Sequence, residues 1–360
     1  MNNENGTAMP QLPPEAILSQ MLWGGLIQQS IYAVTKLGIP DLLAEKSQTA
    51  AELAANTETH APSLYRVLRT LASVGIFAEN ADGKFELTPI AALLRQDTPN
   101  SMRDFALMLG GEWHWRIFSE LMHSVKTGAT AQGKACGAEL FEYLANNAED
   151  AEVFNRAMTS HSLAAVPAIV EAYDFSGIGK LVDIGGGQGI LLAGILKANP
   201  QMQGILFDMP SVIESESELL EKEGVTARVE KVSGDFFQSV PAGADAYSMK
   251  HIIHDWDDEQ SIKILQNIRS AMNENGKVLI VEMVIPEGNE PESVENFRPA
   301  NAHRNRRQGT HRERISRTAR SRRFPADSSH SDSLAVEHRR SSEKLICSGE
   351  YNGGAGDGHF

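Results

Sequence analysis

Apolar residues in the first part of the chain recur at steps of three and four positions, the spacing of one helix face. Residues 15–45 follow this pattern. Thr49 and Glu52 can form a capping box at the start of a second helix, and a third helix is predicted between 62 and 75. Two short strand patterns joined by an Asp-Gly turn follow between 77 and 88. This order is typical of a winged-helix unit.

The second half of the chain shows a different pattern, in which short apolar runs alternate with helical stretches. Such alternation predicts a parallel sheet that is covered on both faces, with ligands at the carboxyl ends of its strands. The region between the two patterns is mostly helical. The predicted strands are 180–184, 204–207, 227–232, 244–249 and 277–284, and the helices between them are 190–198, 212–223 and 261–272.

These patterns predict five segments. Residues 1–14 form a disordered N-terminus, 15–100 the winged-helix unit, 101–168 a helical linker and 169–296 the α/β domain, while 297–360 are a disordered arginine-rich tail.

Composition narrows the class of protein. The chain of 360 residues is 41% apolar and 22% charged, as in ordinary globular proteins. No apolar run reaches membrane length, and the polar residues 1–14 predict a cytoplasmic protein. Its two cysteines cannot form a structural zinc site, and no metal site is expected.

A net charge of −14 disfavours nucleic acid as a partner. The predicted 62–75 helix offers only Arg66 and Arg69 to a phosphate backbone. A protein–protein scaffold is therefore favoured over a DNA-binding role for the winged-helix unit.

A glycine-rich turn follows the first predicted strand. Gly185 and Gly187 lie in Val182-Asp-Ile-Gly-Gly-Gly-Gln-Gly189, where glycine lets backbone N–H groups approach a ligand. The spacing is not the strict G-x-G-x-x-G of a dinucleotide site. A tight turn without a ligand is the alternative for this motif by itself.

Acidic residues follow the next two strands. Asp208 comes 25 residues after Asp183, where Rossmann-type folds keep an acid for ribose hydroxyls. Asp235 can accept from an adenine amino group, and Phe236 can pack on the ring. The alternative for Asp208 is a helix cap.

A histidine follows the fourth strand, at the edge where a cofactor would lie. His254 is a candidate general base because an imidazole titrates near neutral pH. Asp255 can orient its ring or cap a helix. His251 is interpreted as a surface or core histidine, and Lys250 as either a neighbour of the adenine edge or a solvated residue.

The order of these motifs is that of an S-adenosylmethionine (SAM) site. The chain from about 15 to 295 resembles the plant-type small-molecule O-methyltransferases, the group of the caffeic acid and hydroxyindole enzymes and their bacterial relatives. The resemblance rests on four motifs, which are Val182-Asp-Ile-Gly-Gly-Gly-Gln-Gly189, Phe207-Asp-Met-Pro210, His254-Asp-Trp256 and Phe154-Asn-Arg-Ala-Met158.

This resemblance implies a Rossmann-like methyltransferase domain after a winged-helix domain that makes a homodimer, with no nucleic acid or membrane as partner. It implies SAM as cofactor, a hydroxyl on a small aromatic or polyketide-like molecule as methyl acceptor, and His254 as base with Glu282 as a supporting carboxylate. We include Asp183 and Gly187 in the SAM site. The positions that map to the family's SAM contacts are Gly185, Asp208, Asp235, Phe236 and Lys250.

Large side chains in the helical linker suggest an apolar substrate pocket, since such pockets are lined by aromatic and aliphatic groups. Trp115, Phe154 and Met158 are the candidates. An ordinary core position is the alternative for each of them.

The last part of the chain departs from the family. Residues 298–340 contain twelve arginines, no lysine and four acids. Gln308-Gly-Thr-His-Arg312 can be encoded so that the next frame reads Lys-Glu-Arg-Thr, part of the family's ending. We hypothesise a frameshift near 295–298, with the last strands of the sheet missing and the 277–284 strand edge uncovered. We therefore expect weak or absent methyl transfer by this chain.

Two other functions remain open from the sequence. One is a SAM-binding relative that does not transfer methyl, such as a decarboxylase-like or hydroxylase-like enzyme. The other is a winged-helix binding module without catalysis.

Overall fold

The computed structural model describes residues 13–215, 218–283, 335–336 and 343–348, and the chain divides into two compact units after Trp115. The five predicted segments are not tested by this division and stay a prediction. Within the described ranges, no helix combines the length and apolar character needed to cross a bilayer.

The first unit is helical with a small sheet, as the sequence predicts. The capping box of Thr49 and Glu52 is present at the start of its fourth helix, and the sheet has the order β1-β3-β2. Its strands are β1 (Gln48–Thr49), β2 (Phe77–Glu79) and β3 (Lys84–Leu87). Its helices are α1 (Pro14–Leu22), α2 (Gly24–Lys36), α3 (Ile39–Glu45), α4 (Ala50–Asn56), α5 (Ala61–Ser73), α6 (Pro89–Ala92), α7 (Arg103–Gly110) and α8 (Glu112–Ser119), the last of which crosses the division.

The helical stretch predicted over 15–45 is divided into three helices. Gly38 adopts a left-handed backbone conformation, with φ of 69°, and Pro40 follows at the beginning of α3. Both features end a regular helix locally. A periodic pattern records which face is buried but does not record such breaks.

The second unit begins with helices and continues as an α/β sandwich. Four helices come first, α9 (Leu121–Thr127), α10 (Ala131–Cys136), α11 (Leu140–Asn146) and the long α12 (Ala148–Ala172). The strands that follow are β4 (Lys180–Ile184), β5 (Gln203–Asp208), β6 (Val229–Ser233), β7 (Ala246–Lys250) and β8 (Lys277–Met283). The helices between them are α13 (Ile190–Ala198), α14 (Pro210–Ile213), α15 (Leu219–Lys222) and α16 (Asp258–Ala271).

The five strands β6-β5-β4-β7-β8 are parallel neighbours in that order. Each face of this sheet carries its own cluster of buried apolar side chains. Because the strands are parallel, all their carboxyl ends lie at one edge of the sheet. Strands β5 and β6 lie on one side of β4, whereas β7 and β8 lie on the other side. The strand order therefore reverses between β4 and β7, and open α/β sheets bind ligands at such a point.

The edge of β8 differs from the prediction. Two further strands, β9 (Ala335–Val336) and β10 (Glu343–Ser348), extend the sheet to seven strands. The backbone of β10 pairs antiparallel with β8 over six residues, from Glu343 opposite Met283 to Ser348 opposite Val278. The prediction of missing last strands and a disordered tail is therefore wrong for these residues. Leu345-Ile-Cys347 is a short apolar run, and an unpaired strand edge offers it backbone hydrogen bonds.

Candidate active site

The glycine turn after β4 is built so that no side chain fills it. Gly185 and Gly187 have φ of 64° and 58°, a region that favours glycine. A Cβ on Gly185 would lie 2.4 Å from Cδ1 of Ile252. The Gly185 amide donates to the carbonyl oxygen of Phe207 at 2.8 Å, which ties the turn to β5. The turn is therefore a pre-formed backbone surface next to the end of β5, as a cofactor cradle requires.

Asp208 closes this cradle from the end of β5. Its Oδ2 accepts the amide of Gly187 at 2.8 Å, and its Oδ1 accepts the amide of Met209 at 2.7 Å. Burial raises the pKa of Asp208, and these two hydrogen bonds partly offset that rise. The side chain remains half-buried, so a carboxylate oxygen can still accept from a ribose hydroxyl. These features fit the nucleoside part of SAM.

Asp183 lies beneath the turn rather than on its surface. Its side chain is 1% exposed, and its Oδ1 accepts a hydrogen bond from Oγ of Ser248 at 2.8 Å. Desolvation raises the pKa of Asp183 to about 7; the nearby charge of Asp208 adds to the rise, whereas the Ser248 hydrogen bond and Lys250 oppose it. Its place in the SAM site stays a prediction, since its visible contact is with the neighbouring strand.

This raised pKa predicts a pH-dependent stability. The pKa of an aspartate in the unfolded chain is near 4, whereas that of Asp183 in the folded protein is about 7. The folded protein therefore loses stability as pH rises between these two values, because the folded state keeps a proton that the unfolded state has already released. Asp183→Asn keeps an acceptor for Ser248 and cannot ionise. We expect the variant to have a higher free energy of unfolding than the parent. The difference should increase between pH 4 and pH 7 and reach a few kcal/mol.

Urea unfolding at several pH values measures that gain. Asp174→Asn is the matched control, because Asp174 is exposed and its backbone and side-chain hydrogen bonds with Ser176 lower its pKa. A difference between Asp183→Asn and the parent that stays constant from pH 4 to pH 8 would exclude a neutral Asp183 in the folded protein.

Aromatic side chains line the ends of β6 and β7. The ring of Phe236 lies 5.7 Å from that of Trp256 in a T-shaped contact, and Phe141 of α11 stacks on Trp256 at 5.9 Å. Asp235 is exposed, and its Oδ1 accepts the amide of Phe237 at 2.8 Å. An aromatic face and an exposed carboxylate at this edge fit an adenine ring, although neither contact by itself requires one.

Helix α12 contacts the carboxyl edge of the sheet through polar side chains that the sequence did not identify. Oγ1 of Thr159 donates to Oε1 of Gln188 in the glycine turn at 3.0 Å. Nζ of Lys250 donates to Oγ of Ser162 at 3.2 Å. Thr159 and Ser162 are three residues apart and so share one helix face. This hydrogen bond joins Lys250 to α12, and its place beside the adenine edge stays a prediction.

The strongest catalytic feature joins β8 to the segment after β7. His254 lies in a short 3₁₀ helix, Ile253–Asp255. Its Nδ1 lies 2.7 Å from Oε2 of Glu282, and its amide donates to Oε1 of the same carboxylate at 3.3 Å. Glu282 is 1% exposed. Asp255 approaches the other ring nitrogen, Nε2, at 3.5 Å.

Two histidines determine the ionisation of Glu282. Burial would raise the pKa of this carboxyl, but the charge of His254 and hydrogen bonds from His251 and His254 outweigh it, so the pKa lies well below its usual range. Glu282 is therefore an anion at neutral pH. When the His254 ring is neutral, the Glu282 anion beside Nδ1 favours the tautomer with the proton on that nitrogen, which leaves Nε2 as the acceptor.

His251 belongs to this cluster, contrary to its interpretation as a separate surface or core histidine. Its Nδ1 lies 3.6 Å from Oε2 of Glu282, and its ring centroid lies 5.3 Å from that of His254. In the described part of the chain, His251, His254 and Glu282 are the group that could hold a metal ion. The signal in the sequence was the spacing of three residues between the two histidines.

The predicted pocket residues are found in both units. Phe154 and Met158 are half-buried one turn apart on α12, the helix that also carries Thr159 and Ser162. Trp115 lies in the first unit and is 36% exposed. The substrate role of all three stays a prediction.

Comparison with protein families identifies both parts of the chain. Residues 118–316 match the model of an O-methyltransferase domain. Residues 20–97 match the model of an O-methyltransferase dimerisation domain. The winged-helix unit and the α/β unit therefore both have counterparts in the family that the motifs indicated.

Individual relatives agree with the family models. The phenazine O-methyltransferase PhzM of Lysobacter antibioticus is 47% identical over 81% of this chain and 84% of its own length. The mitomycin biosynthesis 6-O-methyltransferase of Streptomyces lavendulae is 38% identical over 79% of this chain and 82% of its own length. The crystal structure of LaPhzM superposes with a TM-score of 0.82 at 40% identity, covering 93% of this chain and 99% of that one.

These relatives are methyltransferases, and they give no support to a non-methylating enzyme or to a binding module without catalysis. Structures of the same fold have been solved with SAM or its demethylated product. The chain belongs to the O-methyltransferase family, as a SAM-dependent methyltransferase with a dimerisation domain before its catalytic domain.

Proposed function

We propose that this chain methylates a hydroxyl of a small aromatic or polyketide-like molecule, with His254 as the general base. The observation that carries the proposal is the 2.7 Å contact between Nδ1 of His254 and the buried Glu282 carboxylate, at the same sheet edge as the glycine turn. A buried anion that orients an imidazole is the arrangement of a general base.

In this proposal the catalytic residues and the SAM-binding residues have separate roles. Nε2 of His254 takes the proton of the substrate hydroxyl, and the Glu282 anion stabilises the imidazolium that results. Gly185, Gly187 and Asp208 hold the nucleoside of SAM. When bound, SAM would supply an activated methyl group on its sulfonium sulfur, with S-adenosylhomocysteine (SAH) as the leaving group when the substrate oxygen takes the methyl. The remaining contribution of the protein is alignment of the acceptor.

The relatives suggest which acceptors to try first. The two named above act on a phenazine and in mitomycin biosynthesis, according to their names. Planar fused-ring molecules with a phenolic hydroxyl also suit the half-buried Phe154 and Met158 on α12. Incubating the chain with methyl-labelled SAM and hydroxylated phenazines, naphthoates and quinones tests this proposal. Label on an oxygen supports it, whereas label recovered only on nitrogen or carbon contradicts it.

Asp208 is expected to contribute strongly to cofactor affinity. A hydrogen bond to a charged group contributes about 1.5–3 kcal/mol, so losing the charge in Asp208→Asn should weaken SAH binding by about 10-fold or more. Isothermal titration calorimetry measures the dissociation constant. Asp174→Asn serves as control, since Asp174 lies before β4, at the opposite end of that strand. Unchanged affinity in Asp208→Asn would exclude the ribose role.

The first helix supports a homodimer formed through the dimerisation domain. No residue of α1 is buried within the chain, and its apolar positions are exposed, with Leu18 at 58%, Met21 at 72% and Leu22 at 76%. An apolar surface of this kind typically marks a protein–protein contact. A second copy of this chain is the occupant that the dimerisation family supports.

Charge on this surface should dissociate the dimer. We expect the parent to be a dimer by size-exclusion chromatography with light scattering. The pair Met21→Glu and Leu22→Glu should be monomeric, because each would bury a charge without a partner. Gln20→Glu adds a charge to the same helix at an exposed position that is already polar, and should remain dimeric. A monomeric parent would contradict the proposal.

A further inference from the structure

The proposed reaction uses His254 and Glu282 and gives His251 no role. Yet His251 has φ of 57°, a strained conformation that few residues other than glycine adopt. Its amide donates to the carbonyl oxygen of Val281 at 3.0 Å, which fixes it beside β8. Backbone strain of this kind is concentrated at functional sites. The position of His251 therefore calls for a function of its own.

His251, His254 and Glu282 bring three metal-binding atoms together. One donor atom from each residue lies within 4.8 Å of the other two. The Nδ1 atoms of the two histidines lie 3.6 Å and 2.7 Å from the same carboxylate oxygen. Two imidazoles and one carboxylate are a common ligand set for Zn²⁺, with metal–ligand distances of about 2.0–2.2 Å.

We propose that these three residues bind a divalent transition-metal ion such as Zn²⁺, and that the ion switches off the catalytic base. At tetrahedral angles those bond lengths separate neighbouring ligands by about 3.3–3.5 Å. The contact of His251 with Glu282 is already close to that value, and the contact of His254 has to open by less than about 1 Å. All three donor atoms lie within 4.8 Å of one another, so shifts of about 1–1.5 Å would bring them to metal-binding distances.

The charges around the cluster favour a cation. Glu282 is ionised and 1% exposed, so its negative charge is weakly screened. Asp255 brings a second carboxylate to 3.5 Å from His254. His161 of α12 packs against His251 with ring centroids 5.6 Å apart. The two carboxylates would stabilise a doubly charged ion between them.

Binding of the ion removes the base by changing its tautomer. Oε2 of Glu282 lies 2.7 Å from Nδ1 of His254, so in the neutral ring this contact favours a proton on Nδ1 and a lone pair on Nε2. A metal ion on Nδ1 uses the lone pair of that nitrogen, so the proton moves to Nε2. A protonated Nε2 cannot accept the proton of a substrate hydroxyl. Inhibition thus rests on the proposed function, whereas metal binding itself does not.

Calorimetric titration of the full, chelator-treated chain with ZnCl₂ tests the binding. Position 251 is replaced by Asn or Gly, because both tolerate positive φ, and both variants keep the pair of His254 and Glu282. We expect one site whose affinity falls at least 10-fold in both variants, while His123→Asn, a control on α9, keeps the parent affinity. Equal zinc affinity in the parent and both variants of position 251 would overturn the proposal.

Methyl transfer provides the second measurement, with each protein compared to its own rate without metal. We expect Zn²⁺ to inhibit the parent reversibly, with recovery on adding a chelator, and inhibition to require at least 10-fold more Zn²⁺ in His251→Asn. Mg²⁺ at the same concentration should have no effect, since it prefers oxygen ligands. Binding without any methyl transfer would refute the proposed function and leave the metal site standing. Equal inhibition of the parent and His251→Asn would refute the switch.

Discussion

Replacing His254 by asparagine is expected to lower kcat for methyl transfer by about 10²–10⁴-fold, the usual contribution of a general base. Asparagine retains a polar side chain next to Glu282 but cannot take up a proton. The loss should appear in kcat rather than in cofactor affinity, because His254 is not among the proposed SAM contacts at the ends of β4, β5, β6 and β7. A quenched-flow or steady-state assay with labelled SAM measures it.

Two comparisons make this test decisive. SAH affinity by calorimetry should be the same in His254→Asn and the parent, and His123→Asn should retain the parent kcat. His254 is not the general base if His254→Asn keeps more than about a tenth of the parent kcat, since general-base assistance is worth at least about 10²-fold.

The second large effect is expected at Glu282. Glu282→Gln has nearly the same shape but no charge, so the imidazolium loses its stabilising anion and Nδ1 can be offered a donor instead of an acceptor. Glu282 acts through His254, so the loss in kcat should approach the range of about 10²–10⁴-fold without exceeding that of His254→Asn.

A double variant distinguishes this role from a general loss of structure. Residues that act as one unit are not additive in their effects on the rate. The variant with both His254→Asn and Glu282→Gln should therefore be about as slow as His254→Asn alone. If the two losses multiply, Glu282 contributes to the reaction independently of His254, and the positioning role fails.

The sheet was the most predictable part of the structure. Predicted strand 180–184 and helix 190–198 match β4 and α13 at both ends, because continuous apolar runs and turn glycines leave few alternatives. The predicted helix 212–223 is instead two short helices, α14 and α15, on either side of residues outside the described ranges. Helical periodicity alone did not reveal that interruption.

The contacts of the site were less predictable than its residues. Motif order identified His254, Asp208 and the glycine turn, but Thr159 and Gln188 are 29 residues apart in the chain and meet through their side chains. Such a contact depends on the rotation of α12 about its axis, which an apolar pattern only approximates. The proximity of His251 to Glu282 was missed because it depends on a backbone conformation that local sequence seldom specifies.

The frameshift near 295–298 remains a prediction, and the proposed shift point lies outside the described residues. The pairing of β10 with β8 covers the edge of β8 that we expected to be unpaired. The remaining reason to expect reduced methyl transfer by this chain is that it lacks the family's Glu-Arg-Thr segment. The nucleotide sequence decides the matter, since one continuous reading frame shared with intact relatives through residue 340 would remove the hypothesis.

The most direct measurement of the account is calorimetric titration of the unmodified chain with SAH, with NAD as the comparison ligand. We expect SAH to bind once per chain and NAD to give no binding heat, because the glycine turn at 185–189 lacks the G-x-G-x-x-G spacing of a dinucleotide site. Absence of SAH binding in a folded sample, or binding of NAD in its place, would contradict the assignment of this edge of the sheet as a SAM site.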